Sequence, residues 1–467
     1  MAKKPQQSKD QELGTRPVGR LLFDLALPAV LGQLVNLLYN IVDRIFIGNM
    51  PVTGNVALSA LGVAMPVVMM IGAFAFLVGM GGAPRAAIAL GAGERDHAEK
   101  ILGNAVTMLV LIAAVLTAVF LTFNETFLWF FGASDATIGY AMEYMQMYTI
   151  GTIFVMLALG LNPFISTQGY AKMSMVTITI GAALNIALDP LFIYTFDMGV
   201  RGAALATIIS QGVSAVWVVT FHSLDRDRMR IRPKHLRLEG SVVLSILALG
   251  LSPFIMNITE SFLMVVFNKN LFRYGGDNAI GAMTIMNSAM SFSFLPLSGI
   301  SQGAQPIISF NYGAKKPERM QQAFHYLLRS ALVYSGAFFA FIMIAPHVFA
   351  RLFTPDPTLL ALTSRGLRVY MFGTLAMAVQ ISCQQTFLAL GKAKVSIFLA
   401  LLRKIILLIP LIYLLPHLLR DQLFAVWLAE PVADIISATT AGLLFRKHFK
   451  NTIADLRGPD HEDTLPA

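Results

Sequence analysis

Four polar side chains in a very apolar chain are of types that together could hold a small cation. Asp189 follows Asn185 by one helical turn, so both side chains point to the same helix face. Asp43 and Thr207 lie in two other apolar stretches. Two carboxylates, an amide oxygen and a hydroxyl suit a monovalent cation such as Na⁺, or a proton shared between two acids. The alternative for Asp43 is an interfacial ion pair with neighbouring Arg44.

Other polar side chains are candidates for the lining of a cavity. Gln33, Asn36 and Tyr39 precede Asp43 at helical spacing and therefore share its helix face. A polar stripe on a membrane helix faces a cavity or a partner helix, because lipid does not solvate it. Glu260, an acid in a later apolar stretch, could attract a cationic substrate or serve in ion coupling. A purely structural hydrogen bond within the protein is the alternative for Glu260.

A second charged set lies in the last two apolar stretches. Arg403 and Lys404 are adjacent in one stretch, and Glu430 and Asp434 are one turn apart in the next. At the helical rise, Arg403 and Asp434 both lie ~15 Å from the inner face, which predicts an ion pair between them. We expect this pair to be mainly structural, with a role in a substrate cavity left open.

The composition indicates a polytopic membrane protein. The chain has 467 residues, 56% hydrophobic and 13% charged, with a mean hydropathy of +0.66, whereas soluble domains carry about 25% charged residues. The single cysteine, Cys383, excludes an internal disulfide or a thiolate metal site. The sequence contains no P-loop, GxSxG or HExxH motif. We therefore expect neither an enzyme nor a cofactor, apart from a coupling ion.

The apolar runs predict an all-α fold of twelve spans, each long enough for a ~30 Å hydrocarbon core. The spans are predicted at residues 21–47, 54–84, 101–123, 139–165, 173–196, 199–222, 242–268, 277–308, 322–346, 359–389, 393–415 and 421–444. The corresponding divisions are an N-terminal tail, a first half, a linker, a second half and a C-terminal tail, at 1–20, 21–222, 223–241, 242–444 and 445–467.

Basic residues predict the orientation of the chain in the membrane. Segments on one side carry most of the Lys and Arg residues, including Lys3, Lys4 and the linker run Arg226, Arg228, Arg230, Arg232, Lys234 and Arg237. The positive-inside rule then places both termini in the cytoplasm of an inner-membrane protein. The net charge of +9 is explained by this distribution. We expect the linker to lie on anionic lipid headgroups and not to bind nucleic acid.

The two halves repeat each other at an offset of 222 residues. GAGERDHAEK at Gly91 matches GAKKPERMQQ at Gly313, and GYAK at Gly169 matches GKAK at Gly391. Each copy holds six spans, and an even number makes the copies parallel. Such parallel repeats occur in one class of secondary transporters, with a binding cavity between the halves. One chain already contains both halves, so we expect a functional monomer.

These features resemble the multidrug and toxic compound extrusion (MATE) family of the bacterial type. The resemblance rests on the two six-span copies, on VDRIFIG at Val42, on LNIALDPLFI at Leu184 and on QGAQPIISFNYGA at Gln302. It implies a V-shaped pair of bundles that exports cationic amphiphilic drugs in exchange for inward H⁺ or Na⁺. The sequence leaves the choice between the two ions open.

The resemblance also implies roles for individual residues. Cation ligands of the family match Asp43, Asn185, Asp189 and Thr207, and a helix-bending proline matches Pro28. Cavity groups of the family match Tyr39 and Asn162. One branch pairs a glutamate like Glu260 with an aspartate on helix 10, but this chain has no acid in 370–389.

Two other functions stay open at this point. A lipid-linked saccharide flippase of a related fold would use a cationic cavity, for which Arg403 and Lys404 are candidates. A channel or receptor subunit would have no coupled cycle, and the buried acids and two-copy layout argue against it. Ion-gradient dependence of flux would separate a channel from an antiporter.

Overall fold

A computed structural model of the chain describes residues 9–51, 53–224 and 227–457. Within these residues the secondary structure is helical and contains no strand, which confirms the all-α prediction. The predictions that concern Lys3, Lys4, Arg226 and residues 458–467 fall on positions outside the described residues.

The helices of the first part of the chain follow one another with short connections. They are α1 (Lys9–Leu13), α2 (Val18–Gly48), α3 (Gly54–Gly91), α4 (Arg95–Phe130), α5 (Ile138–Ile150), α6 (Thr152–Thr167), α7 (Ala171–Thr195) and α8 (Gly199–Leu224). The last turn of α7, Leu191–Thr195, is π-helical.

The second part continues in the same way after a short 3₁₀ turn, Pro233–His235. Its helices are α9 (Gly240–Gly276), α10 (Asn278–Gly313), α11 (Pro317–Ile344), α12 (Pro346–Arg351), α13 (Pro357–Ala389), α14 (Ala393–Leu418) and α15 (Gln422–Arg457). A π-helical stretch, Leu402–Leu408, interrupts α14, and a 3₁₀ turn, Met371–Gly373, interrupts α13.

Eleven described helices are long and apolar enough to cross a membrane, and the bent pair α5–α6 makes a twelfth span. The predicted number of spans is therefore confirmed, but the continuous span predicted at 139–165 is bent by 59°. The break is at Gly151, where an added Cβ would lie 2.6 Å from Ile208 Cγ2 on α8. Only a residue without a side chain allows this close approach.

Other differences from the predicted spans are local. The chain passes between α9 and α10 through Gly276, whose φ of 62° suits glycine. Helix α15 extends to Arg457, thirteen residues beyond the predicted end, because the hydropathy that defines a span does not report where a helix stops.

The chain forms two compact units. Among the described residues, unit 1 contains those in 9–15 and 31–257, and unit 2 contains those in 16–30 and 258–457. Helix α2 continues through Pro28 and passes from unit 2 to unit 1 after Val30. Pro28 has no amide hydrogen, so one backbone hydrogen bond of α2 is missing close to the point where the helix changes unit. The predicted division into tails, halves and linker follows the sequence repeat instead, and stays a prediction.

The described part of the linker is docked on the first turns of α4. Asn104 donates to the carbonyls of His235 and Arg237, and its own oxygen accepts from the amide of Glu239 at 2.8 Å. Fully buried Glu99 is ion-paired with Arg232, and Lys234 contacts Asp96.

Carboxylates of α4 thus neutralise part of the basic run. Because this charge is balanced within the protein, fewer basic groups remain for lipid headgroups than the sequence predicted. The interaction of the linker with lipid stays a prediction.

Candidate functional site

Two carboxyl groups from separate helices of unit 1 lie side by side in its interior. Asp43 on α2 is 7% exposed and Asp189 on α7 is fully buried. The two side chains are within hydrogen-bonding reach of each other. The sequence-predicted acids are therefore brought together by the fold.

Asn185 and Thr207 complete the same cluster. The Asn185 side-chain amide donates to Asp189 Oδ1 at 3.1 Å and to Thr207 Oγ1 at 3.3 Å. Thr207 in turn donates to the carbonyl of Ala203 at 3.1 Å. All four predicted ligands are thus adjacent, on helices α2, α7 and α8.

The cluster contains more acceptors than donors. Asp43 Oδ1, Asp189 Oδ2 and Asn185 Oδ1 are buried oxygens with no hydrogen-bond donor among the described residues. An unsatisfied buried acceptor costs about 1–3 kcal/mol, and an unpaired buried charge costs more. A proton between the two acids, or a cation held by these oxygens, would remove that cost. This excess of buried acceptors is the chemical signature of the site.

Local irregularity at the end of α7 positions Asp189. Pro190 follows it directly and has no amide to donate, and the π-helical turn Leu191–Thr195 comes next. π-turns are frequent at functional sites because they shift the register of side chains along a helix. The Tyr194 hydroxyl donates to the carbonyl of Phe46 at 2.5 Å. This bond links the end of α7 to α2 just beyond Asp43.

Tyrosine side chains lie near the acid pair. Tyr39 on α2 lies within electrostatic range of both acids, as the sequence predicted for the face of Asp43. Buried Tyr144 on α5 is also within range of both acids, and its ring stacks on Tyr148 at 5.9 Å between centroids. The sequence analysis missed Tyr144 and Tyr148, although their spacing of four residues places them on one helix face.

The other predicted cavity residues lie away from the acid pair. Gln33 and Asn36 are about 15 Å and 10 Å along α2 from Asp43 at the helical rise. Asn162 on α6 donates to the carbonyl of Ser174 at 3.3 Å, near the opposite end of α7 from Asp189. A cavity role for these three residues stays a prediction, and the structure does not place them at the acid pair.

The charged residues of unit 2 form a buried network. Arg403 donates through Nε to Asp434 Oδ1 at 2.6 Å and through a terminal nitrogen to Glu430 Oε1 at 2.9 Å. The π-helical stretch of α14 carries Arg403, and α15 carries both acids. Gly373 makes room, because a Cβ there would lie 3.0 Å from Asp434 Oδ2. The structure thus places one guanidinium between two carboxylates.

Glu260 and Lys404 form a further ion pair in unit 2, next to this network. Lys404 is nearly buried, whereas the Glu260 side chain is 62% exposed. The structural alternative for Glu260 considered above, a hydrogen bond within the protein, is therefore realised as an ion pair with a residue 144 positions later.

Comparisons with known proteins agree with this architecture. The family model MatE matches residues 28–191 and 253–414. The multidrug export protein MepA of Staphylococcus haemolyticus (strain JCSC1435) is 24% identical over 420 residues, covering 90% of this chain and 92% of MepA. MepA of Staphylococcus aureus (strain MSSA476) is 25% identical over 445 residues, covering 93% and 97%.

A solved structure shares the fold as well. It is described as the outward-facing conformation of a multidrug resistance MATE family transporter of the MOP superfamily. Its TM-score is 0.89 at 23% identity, with 97% of this chain and 100% of that chain covered. At this identity the likeness concerns the fold alone.

Proposed function

The chain belongs to the MatE family of multi-pass membrane transporters, and from this premise we propose that it is a secondary antiporter. It exports cationic amphiphilic compounds in exchange for H⁺ or Na⁺ that enters the cell. The multidrug export activity in the name of the MepA relatives supports the export of drugs.

The observation that carries the proposal is the buried acid pair of Asp43 and Asp189. Its excess of acceptor oxygens means that the unit is most stable when a proton or a cation is bound there. Asn185 and Thr207 hold the pair in place and add a carbonyl and a hydroxyl oxygen. No cofactor other than this coupling ion takes part in the cycle.

Coupling follows from neutralisation of the pair. With an ion bound, α2 can repack about Pro28, close to where the helix passes from one compact unit to the other. The ion changes the equilibrium only by its difference in affinity for the two conformations. One charge that moves inward across 100 mV supplies about 2.3 kcal/mol, enough to bias such an equilibrium.

Efflux from proteoliposomes with imposed pH or Na⁺ gradients tests the proposal. Wild-type protein should export ethidium under at least one of the two gradients applied alone, and the gradient that drives export identifies the coupling ion. Asp43→Asn and Asp189→Asn should each lose gradient-driven export. Asp135→Asn, a change of the same chemistry at an exposed position, is the control and should retain it. Full gradient-driven export by Asp189→Asn would contradict the assignment.

A flippase function receives no support from the charges of unit 2. Arg403 and Lys404, the cationic groups on which that alternative depended, are both paired with carboxylates. The same vesicles loaded with a fluorescent lipid-linked saccharide test this directly, because a flippase would translocate it without export of ethidium.

We also propose that the protein is a monomer in the bacterial inner membrane with both termini in the cytoplasm. The basic linker on α4 and the positive-inside rule support this orientation. Single cysteines introduced beside Arg457 and in the α4–α5 loop, in a Cys383→Ala background, should be labelled from opposite sides of the membrane.

A further inference from the structure

The ion pair between Lys404 and Glu260 has an uneven exposure. The Lys404 side chain is 8% exposed and the Glu260 side chain is 62% exposed. Both lie in apolar helices long enough to span a membrane. A charged group at that depth does not face hydrocarbon, because the cost would be roughly 2.5–3.5 kcal/mol or more. Glu260 therefore lies beside water, and its lysine partner lies behind it in the protein.

Acidic groups outnumber basic groups around this pair. Arg403 contacts two carboxyl groups, Glu430 and Asp434, so this triad has one acid more than it has cations. Lys404 is adjacent to Arg403 on the same π-helical stretch, and both acids of the triad are within electrostatic range of it. Lys404 thus has two anionic neighbours, Glu260 at the surface and the triad inside. The lysine stem is flexible enough to serve either one.

From this arrangement we propose that Lys404 is a tethered competitor for the organic cation at Glu260. The inference rests on the proposed export of cations and adds the residue that sets selectivity at this acid. A cationic substrate binds Glu260 by taking the place of the lysine ammonium, which moves toward Glu430. The displaced charge remains compensated, because the triad has an excess carboxylate to receive it.

The exchange explains how an exposed acid could select cations. A neutral compound cannot replace the lysine, since it would leave Glu260 without a counter-charge. A cation can replace the lysine, because it supplies the counter-charge for Glu260. The displaced lysine then pairs with the additional acid of the triad. Because Lys404 must leave first, the apparent affinity for the cation is its intrinsic affinity multiplied by the fraction of time that Glu260 is free of the lysine.

Binding of ethidium to the full-length protein in lipid nanodiscs, followed by fluorescence anisotropy, tests the competitor role. Lys404→Met should bind ethidium about tenfold more tightly than wild type, because the competing ammonium is gone. Lys404→Arg keeps the positive charge and should remain within about twofold of wild type. Binding of the neutral dye N-phenylnaphthylamine should not change in either variant.

Glu260→Gln is the complementary variant. It should weaken ethidium binding. The double variant Glu260→Gln/Lys404→Met should bind ethidium like Glu260→Gln alone, because without the Glu260 carboxylate the lysine no longer competes with the dye. Lys404→Met/Glu430→Gln removes one basic and one acidic group together, so the difference between acids and cations in the region stays that of wild type. This variant is a second protein without the competing lysine. It should also bind ethidium more tightly than wild type.

Unchanged or weaker ethidium binding in both Lys404→Met and Lys404→Met/Glu430→Gln would overturn the inference and leave a structural ion pair. If wild type binds ethidium and requires Asp189 for export, that result leaves the proposed function intact. If no protein of the set binds or exports ethidium, both the proposed function and the inference are wrong.

Discussion

Thr207 is the residue of the acid cluster whose role depends on the identity of the coupling ion. A proton between Asp43 and Asp189 needs no further ligand, whereas Na⁺ requires several oxygens around it. The Thr207 hydroxyl accepts from Asn185 and lies at the edge of this oxygen set. Removal of the hydroxyl therefore has different consequences for the two ions.

Thr207→Ala should weaken Na⁺-driven export about fivefold, the effect expected for loss of about 1 kcal/mol from one ligand or hydrogen bond. Proton-driven export should change less than twofold, because only the weak hydrogen bond from Asn185 to the Thr207 hydroxyl is lost. Thr207→Ser keeps the hydroxyl and is the matched control. The measurement is the concentration of Na⁺ or H⁺ that gives half-maximal ethidium export. A large, equal loss with both ions would show that Thr207 supports the fold and not one ion.

For single residues, contacts within one helix could be predicted from the sequence, whereas contacts between helices mostly could not. Asn185 and Asp189 are one turn apart, and their contact follows from helical spacing. Asp43 beside Asp189 is predicted from their chemistry, because two carboxylates in apolar stretches can share a proton or a cation. The pairing of Glu260 with Lys404 was not predicted, because it depends on how α9 and α14 pack. Tyr144 was missed since an aromatic residue in an apolar helix usually marks ordinary packing.

Among the elements, the bent span α5–α6 is coupled to the helix that carries Thr207. Gly151 at the bend packs directly on Ile208, the residue after Thr207. A side chain at Gly151 must push α8 away or straighten the bend. Overpacking of this kind costs typically 1–3 kcal/mol.

Gly151→Ala should therefore lower the thermal stability of the detergent-solubilised protein and reduce gradient-driven export. Removal of the opposing methyl groups in Gly151→Ala/Ile208→Ala should recover most of both losses, because space is restored on the other helix. Gly139→Ala on α5 is the control, since no atom lies within 4 Å of its Cβ position. Fluorescence-detected size-exclusion chromatography after heating gives the stability. Failure of the double variant to recover would show that the bend needs glycine for its backbone alone.

The spans were predictable because a hydrocarbon core requires about 20 apolar residues, whatever their tertiary contacts. The bend at Gly151 and the π-helical stretches of α7 and α14 were not, because they leave the hydropathy unchanged. Each of these irregularities lies close to polar groups that need an exact orientation, Thr207, Asp189 or Arg403. Local helical propensity carries no information about that orientation.

In the whole molecule, the sequence repeat and the compact units divide the chain differently. The offset of 222 residues places all of α2 in the first copy and all of α9 in the second. The units instead assign residues 16–30 to unit 2 and the part of α9 before residue 258 to unit 1. Each unit therefore includes the beginning of a helix that belongs to the other copy.

In each unit, the helix segment that belongs to the other sequence copy packs against a glycine, and the two glycines are equivalent in the repeat. In unit 1, a Cβ on Gly81 of α3 would lie 2.8 Å from the amide nitrogen of Gly250 of α9. In unit 2, a Cβ on Gly303 of α10 would lie 2.5 Å from the Cα of Ala26 of α2. Gly81 and Gly303 are related by the repeat offset of 222. Small residues let membrane helices pack closely in this way, and the contact recurs in both copies.

Gly81→Val and Gly303→Val should each destabilise the protein, by at least the 1–3 kcal/mol typical of overpacking, and should block export because the exchanged helix segment cannot dock. Gly72→Val on α3 and Gly442→Val on α15 are the controls, since no atom lies within 4 Å of either Cβ position. Valine is no worse than glycine for a helix, so these controls should keep wild-type stability and export. Melting in detergent and ethidium export from proteoliposomes measure the two effects. If Gly81→Val is as active as Gly72→Val, the close packing of α3 on α9 is not needed for transport, and the parallel between the two copies is structural only.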